Sequence, residues 1–357
     1  MPLEPDDRDP SVVIDQELPA HPIKRGAGED ARVATGEGYK GFTPDFPTST
    51  ETNKPGLTID PTDPNTLIMY GGVSLNDAGR EGGTVSELET VRMEYTESAY
   101  SDASGNIGAI GATDEHEAPA AEAFVDTNEV VVTGGEIAGS VNDGIFVLDV
   151  PGDTWSSLTS TLPTGVFGPA SQVVDGTMYV IGGTDGTDTA TDQVVSIDPA
   201  ADTVTTLTSA PAPLSGRVNS AQLNGYIYVA GQGSTSFYRY DTSADSWETL
   251  ANMDVLYFEG GSVGNGDSAF ADGVMWEHNG YIGYQDGANY FGGQSTAYYD
   301  PETDTWVGFG DDLPDSVFYH FGNKVGEIID GVLICPTENA DREVVYAYVP
   351  FDEPFDE

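Results

Sequence analysis

An all-β fold of repeated four-stranded sheets is what this sequence predicts, and three observations predict it. Short apolar strands ending in a glycine pair recur at Leu67–Gly72, Glu129–Gly135 and Met178–Gly183, with a degenerate copy at Tyr226–Gln232. After a second strand comes an acidic residue with an aromatic six positions on, as in Asp149 to Trp155, Asp241 to Trp247 and Asp300 to Trp306. Weaker copies run from Asp198 to Val204 and from Glu94 to Tyr100. No 3.6-residue helical periodicity competes over a comparable length. The acidic anchors are roughly fifty residues apart, which is the repeat of one propeller blade.

Taken in order, the chain opens with residues 1–54, read as an arm that holds half of all the basic residues: Arg8, Lys24, Arg25, Arg32, Lys40 and Lys54. Within it Gly36–Gly41 has the spacing Gly-x-Gly-x-x-Gly. Thr43-Pro44 and Phe46-Pro47 follow at once, so no helix can start there and a nucleotide site is excluded. Residues 55–349 form the propeller. Alternating runs such as Gln193–Asp198 and Ser236–Asp241 are strands. Glycine pairs at strand ends let neighbouring backbones crowd together near the narrow centre. Tryptophans after the acidic residue fill the wide outer wedge. Asp198-Pro199-Ala200-Ala201-Asp202 and Asp300-Pro301-Glu302-Thr303-Asp304 are tight turns between third and fourth strands. The fifth blade replaces the glycine pair with Tyr281-Ile282-Gly283-Tyr284 and carries an insertion at about residues 252–272, either a binding loop or a subunit contact. The sixth lacks both glycine pair and Trp, and ends after Arg342–Val349 without a fourth strand. Residues 11–18 are expected to supply that strand and close the ring, removing an open edge. Residues 350–357 are an acidic tail.

These blades resemble the Kelch motif: Gly-Gly after the second strand, an acidic turn, then Trp. The resemblance spans roughly residues 55 to 349 and is most specific from Ala118 to Trp306. It implies a six-bladed β-propeller with four-stranded blades and a binding surface at one end of the channel.

The charge balance narrows the partners. Twelve Lys and Arg face 60 Asp and Glu, a formal net charge of −48. Beyond residue 54 only Arg80, Arg92, Arg217, Arg239, Lys324 and Arg342 are basic, so the surface repels nucleic acid and anionic lipid. With 38% apolar residues and 44 glycines the chain nonetheless has a globular share of core formers, so it is not a disordered acidic tail. No apolar run is long enough to insert in a membrane. Such acidity destabilises a compact state in dilute buffer, and the cost fades at molar salt, where the Debye length is about 3 Å. The pattern resembles proteins of extreme halophiles, so high K⁺ or Na⁺ is an expected requirement.

Candidate binding residues come from loops that a Kelch-like propeller brings to one end. Between blades these are Arg217 and Asn219, then Tyr257, Phe258 and Glu259, then Phe318, Tyr319 and His320. Asn289 and Tyr290 follow a second strand. Aromatic rings with carboxylates and amides suit carbohydrate: a ring stacks on the sugar face while Asp and Asn hold hydroxyls. The alternative for Phe258 and Phe321 is plain packing into the channel-facing core. Asp185, Asp188 and Asp192 are spaced to hold a structural Ca²⁺ or simply to solvate a loop.

No catalytic residues are assigned. Copper-radical oxidation, known on Kelch-like propellers, needs a Cys–Tyr crosslink and clustered His. Here the one cysteine, Cys335, lies in an apolar run, and His21, His116, His278 and His320 are scattered. Carboxylate pairs for glycoside cleavage are unavoidable among 60 acidic residues and carry no information. An arginine triad would consume half the basic residues beyond residue 54. The lone Cys excludes an intramolecular disulfide.

The expected function is a non-enzymatic structural or recognition propeller. No export signal is visible in residues 1–30 and no Asn-x-Ser/Thr sequon occurs, which favours a haloarchaeal virus protein on the virion surface. It would attach to host glycans or glycoprotein, with residues 1–54 docking to other subunits or wrapping the surface. The alternatives are a cytosolic interaction module of a halophile and a glycan-acting enzyme using the channel.

Overall fold

The computed structural model describes residues 22–25, 29–32, 38–43, 52–53, 56–70, 73–74, 90–96, 99–107, 116–137, 139–216, 218–231, 234–253, 273–286, 295–310, 317–318, 326–329, 332–339 and 343–349. Among them there is strand and turn but no helix, hence no helix long and apolar enough to cross a membrane. Five sheets are four-stranded antiparallel meanders. The first joins Gly56–Asp60, Asp63–Tyr70, Thr90–Thr96 and Ala99–Ile107. The second joins Ala120–Phe124, Glu129–Thr133, Ile145–Asp149 and Thr154–Ser157. The third joins Ala170–Val174, Thr177–Ile181, Val194–Asp198 and Thr203–Thr206. The fourth joins Asn219–Leu223, Tyr226–Ala230, Tyr238–Asp241 and Ser246–Thr249. The fifth joins Gly273–His278, Tyr281–Asp286, Ser295–Asp300 and Thr305–Gly310.

A further sheet is built on Val332–Asn339, which pairs with Glu327–Ile329 and Val317–Phe318 on one side and Glu343–Val349 on the other. Outside Glu343–Val349 lies Gly38–Thr43, with a register shift between Tyr39 and Gly41. This corrects the strand assignment: the segment in the fourth place is Gly38–Thr43, and residues 11–18 lie outside the described residues. Tyr39 pairs with Tyr348 and Gly41 with Ala347, so Lys40 is the extra residue and the glycine-rich stretch serves as an edge strand with a bulge.

Why the sheets stack is written in the period-two alternation of their second strands. On Glu129–Thr133, Val130 and Val132 pack with Ile68 and Tyr70 of the first sheet, while Val131 packs with Met178 and Val180 of the third. On Tyr226–Ala230, Ile227 and Val229 join Ile181 and Val194 of the third sheet. Tyr228 and Ala230 join Ile282 and Tyr299 of the fifth. Both faces are therefore apolar, and a strand buried on both faces reads as a continuous apolar run. At about 25 cal/mol per Å² of apolar area, these seams between sheets supply most of the favourable folding term.

The outer rim is held by a repeated clamp. In the turn between third and fourth strands, Asp153, Asp202, Asp245 and Asp304 all have left-handed backbones, with φ between 48° and 52°. Three of them reach the preceding sheet's exit. Asp202 accepts the Thr159 and Ser160 N–H groups at 3.0 and 2.9 Å. Asp245 accepts the Thr208 N–H at 2.8 Å, and Asp304 accepts the Ala251 N–H at 2.7 Å. Two tryptophans finish the clamp on the same segments: Trp247 Nε1 donates to the Thr208 carbonyl at 2.9 Å and Trp306 Nε1 to the Ala251 carbonyl at 3.0 Å. The third sheet has Val204 in the tryptophan's place, and there the Thr159 hydroxyl also donates to Asp202. These donors, led by that hydroxyl, hold the Asp202 carboxyl down at about 2.

Candidate functional site

The inner strands carry polar residues where the rest of each sheet is apolar. Ala120, Ala170 and Asn219 pair with the residue just before their sheets' glycine positions, Thr133, Ile181 and Ala230. Glu122, Gln172 and Ala221 therefore sit at one level of neighbouring inner strands, with Ser171 and Ser220 one step before. A hydrogen-bonded belt follows from this register. Ser171 Oγ donates to Glu122 Oε1 at 2.8 Å, and Ser220 Oγ donates to the Ser171 carbonyl at 3.2 Å. Gln172 Nε2 donates to the Ser220 carbonyl at 3.2 Å and to its Oγ at 3.1 Å. All four side chains are buried, so these bonds meet the desolvation cost of placing them there.

Past Ser220 the belt gives way to a cavity of about 190 Å³, reached by the inner strands of the third, fourth and fifth sheets and by Gly326–Ile328. Gln172, Ser220 and Gln222 line it, as do Met275, Trp276 and Glu327. Glu277 also lines it, with Oε1 accepting the Gly280 N–H of its own hairpin at 2.9 Å. The Trp276 indole is fixed. It lies against the backbone of Gly283, where any Cβ would overlap the ring, and packs edge-on to Tyr298 at 6.0 Å. That close approach is the reason for Tyr-Ile-Gly-Tyr in the fifth sheet: Gly283 yields space to an indole. By contrast Gly183 has φ of 94° and Gly135 has φ of 74°, and a Cβ on either would strike a backbone carbonyl.

A second polar cluster lies in the seam between first and second sheets. His116 is fully buried, with Nδ1 3.0 Å from the Tyr70 hydroxyl and Nε2 2.7 Å from the Gly134 carbonyl. A carbonyl only accepts, so Nε2 carries the proton and Nδ1 accepts from Tyr70. Burial lowers the His116 pKa to about 4 and raises that of Tyr70. Its partners are all internal, which makes it a structural histidine.

Of the residues singled out from sequence, Asn219 begins an inner strand and is buried. Phe318 lies on the short strand opposite Glu338. Arg217, Tyr257, Phe258, Glu259, Asn289, Tyr290, Tyr319 and His320 lie outside the described residues, as do residues 254–272 of the insertion. Asp185, Asp188 and Asp192 share a loop, but Asp185 Oδ1 already accepts the N–H groups of Thr187 and Thr189 and the Thr187 hydroxyl. Among the described residues no three His, Cys, Asp or Glu side chains gather as metal ligands. Sequence reasoning missed Gln172, Ser220, Gln222, Trp276 and Glu327. The available signal was a polar residue repeated at one register of otherwise buried inner strands.

The fold and this convergence of inner strands define a Kelch-like β-propeller. Residues 167–211, the third sheet with its flanks, match the Kelch motif. The solved structure of YjhT is similar in fold, with a TM-score of 0.60 and 13% identity, covering 85% of this chain and 95% of that one. No curated protein matches the chain.

Proposed function

We propose that the protein is a non-enzymatic recognition propeller of six blades, its ring closed by Gly38–Thr43, that presents one end of its channel to a ligand at high salt. The carrying observation is the cavity: four inner strands converge on amide, hydroxyl, carboxylate and indole groups, held by a rim of inter-sheet clamps. Packing of Glu327–Ile329 beside Gly56–Asp60 supports the ring. The net charge of −48 supports a high-salt setting and disfavours nucleic acid. Attachment of a haloarchaeal virion to host surface glycan or glycoprotein is the setting we propose, with the arm at residues 1–54 anchoring it to other subunits.

The test is binding of purified protein to intact halophile cells and to their surface-layer glycoprotein, in about 3 M salt, where surface charge is screened within a few ångströms. Saturable attachment with the glycan unchanged is expected. Release of sugar would overturn the non-enzymatic reading, and absence of attachment would overturn the recognition role.

A further inference from the structure

We infer that the channel cavity is a subsite for one neutral sugar unit, an inference that rests on the recognition reading and gives its site a ligand class. Three properties of the cavity lead there. The first is size: a cavity of about 190 Å³ is on the scale of one small ring rather than of a folded partner.

The second is the placement of hydrogen-bonding groups. Gln172 spends its amide nitrogen on Ser220, at 3.2 Å to the carbonyl and 3.1 Å to Oγ. Its Oε1 remains an acceptor on a residue that lines the cavity. Gln222, half-buried on the same strand as Ser220, brings both an amide donor and an acceptor. Paired acceptors and donors on rigid strands suit vicinal hydroxyls, each of which both donates and accepts. Met275, Trp276 and Ile328 are the larger apolar residues of the lining, available to the C–H face of a ring. Trp276 contributes an edge, since it is 3% exposed and immobilised over Gly283.

The third is charge. Glu277 and Glu327 line the cavity without a lysine or arginine among its lining residues, so uronate and sialate carboxylates meet repulsion there. A neutral hydroxylated ring meets none.

The test uses the full chain in molar KCl and follows tryptophan emission. Trp276 lines the cavity, while Trp155, Trp247 and Trp306 lie on outermost strands. D-glucose, D-galactose and D-mannose are titrated in parallel with D-glucuronate. Saturable change with at least one neutral hexose and none with glucuronate is expected. Gln172→Ala and, as a half-buried second variant, Gln222→Ala should each weaken it about tenfold, the loss of one directional hydrogen bond. No saturation with any neutral hexose, equal response to glucuronate, or unchanged affinity in both folded variants would overturn the subsite. Cell attachment retained by the protein while no sugar enters would sink this inference and leave the recognition reading standing. Sugar binding without cell attachment would do the reverse.

Discussion

Lowering the pH should cost this protein stability through one residue, His116, and the cost can be worked from its surroundings. Both ring nitrogens are committed, Nε2–H to the Gly134 carbonyl and Nδ1 to the Tyr70 hydroxyl. The ring is enclosed by Tyr70 and Phe146, with centroids at 5.4 and 6.1 Å. A proton on the ring would place a positive charge in a fully buried site, and that desolvation holds the folded pKa at about 4 against 6.5 when unfolded. The group is neutral in both states above pH 6.5 and contributes nothing to the pH dependence there. As pH falls through 6.5 the unfolded chain takes up a proton that the folded chain refuses, so stability is lost until about pH 4. At about 1.4 kcal/mol per pH unit, the loss is roughly 2 kcal/mol between pH 7 and 5, approaching about 3 in total. Among 60 acidic residues the opposite trend also operates, because protonating carboxylates relieves self-repulsion. Urea unfolding of wild type and His116→Gln in molar KCl at several pH values removes that shared background, and the remaining histidines with it. The wild type should lose about 2 kcal/mol more than the variant over the interval. Parallel pH profiles, or a His116 ring signal titrating near 6.5 by NMR, would refute the reasoning.

Other consequences of the geometry are measurable in the same buffer. Gly283→Ala should destabilise by roughly 1–3 kcal/mol, since the new Cβ overlaps the Trp276 indole, and Trp276→Leu in the same chain should recover most of the loss in thermal melts. Asp304→Gly keeps the left-handed turn while removing the acceptor for the Ala251 N–H and Tyr299 hydroxyl; a loss of roughly 1–2 kcal/mol in urea unfolding is expected. Asp202 should remain ionised down to about pH 2, seen as a carboxyl carbon signal in NMR that moves only at the acid extreme. The melting temperature should rise steeply between about 0.1 and 3 M KCl, and a flat profile would remove the high-salt setting.

The scaffold was legible because its signals are local. Alternating Val, Ile and Tyr before Gly134-Gly135 and Gly182-Gly183 state where second strands run and end, and both pairs do take left-handed backbones. The step from Asp241 to Trp247 was readable as turn plus outermost strand, and the turn is capped as expected: Asp241 Oδ1 accepts the Ser243 and Ala244 N–H groups. What the aromatic does was less legible. Filling the wedge accounts for its ring, but its indole N–H donates to the neighbouring sheet, and nothing in a single repeat reveals an acceptor in the previous one. The partner aspartate four positions after the first, such as Asp245, was hidden among so many acidic residues. Which N-terminal segment lies beside Glu343–Val349 was less legible for a similar reason: Val12-Val13-Ile14 has the stronger apolar signal, but the place beside that strand is taken by Gly38–Thr43, and pairing on an outermost edge depends on backbone groups more than on hydrophobicity. The cavity residues escaped notice because Gln172 and Gln222 look like ordinary polar positions until register brings their strands side by side.

The clamps bear on function because of where the acidity sits. A clamp donor is a backbone N–H, an indole or, at Thr159, a hydroxyl, and its acceptor is a carboxylate or a backbone carbonyl; no cation takes part in those at Thr159, Thr208 and Ala251. Ion pairs weaken as salt rises, whereas these bonds join groups of which at most one is charged. The described exception, Arg239 with Glu248, lies on the adjacent third and fourth strands of a single sheet and holds no two sheets together. Sheets joined this way would keep their geometry in the proposed high-salt setting, where sheets bridged by Lys and Arg would loosen. The arrangement also leaves the carboxylates free to hydrate the surface. The cavity offers the same chemistry: its amide and hydroxyl groups would hold the proposed neutral ligand through hydrogen bonds that screening does not remove. Recognition by charge would be lost at the molar salt that we propose as its setting.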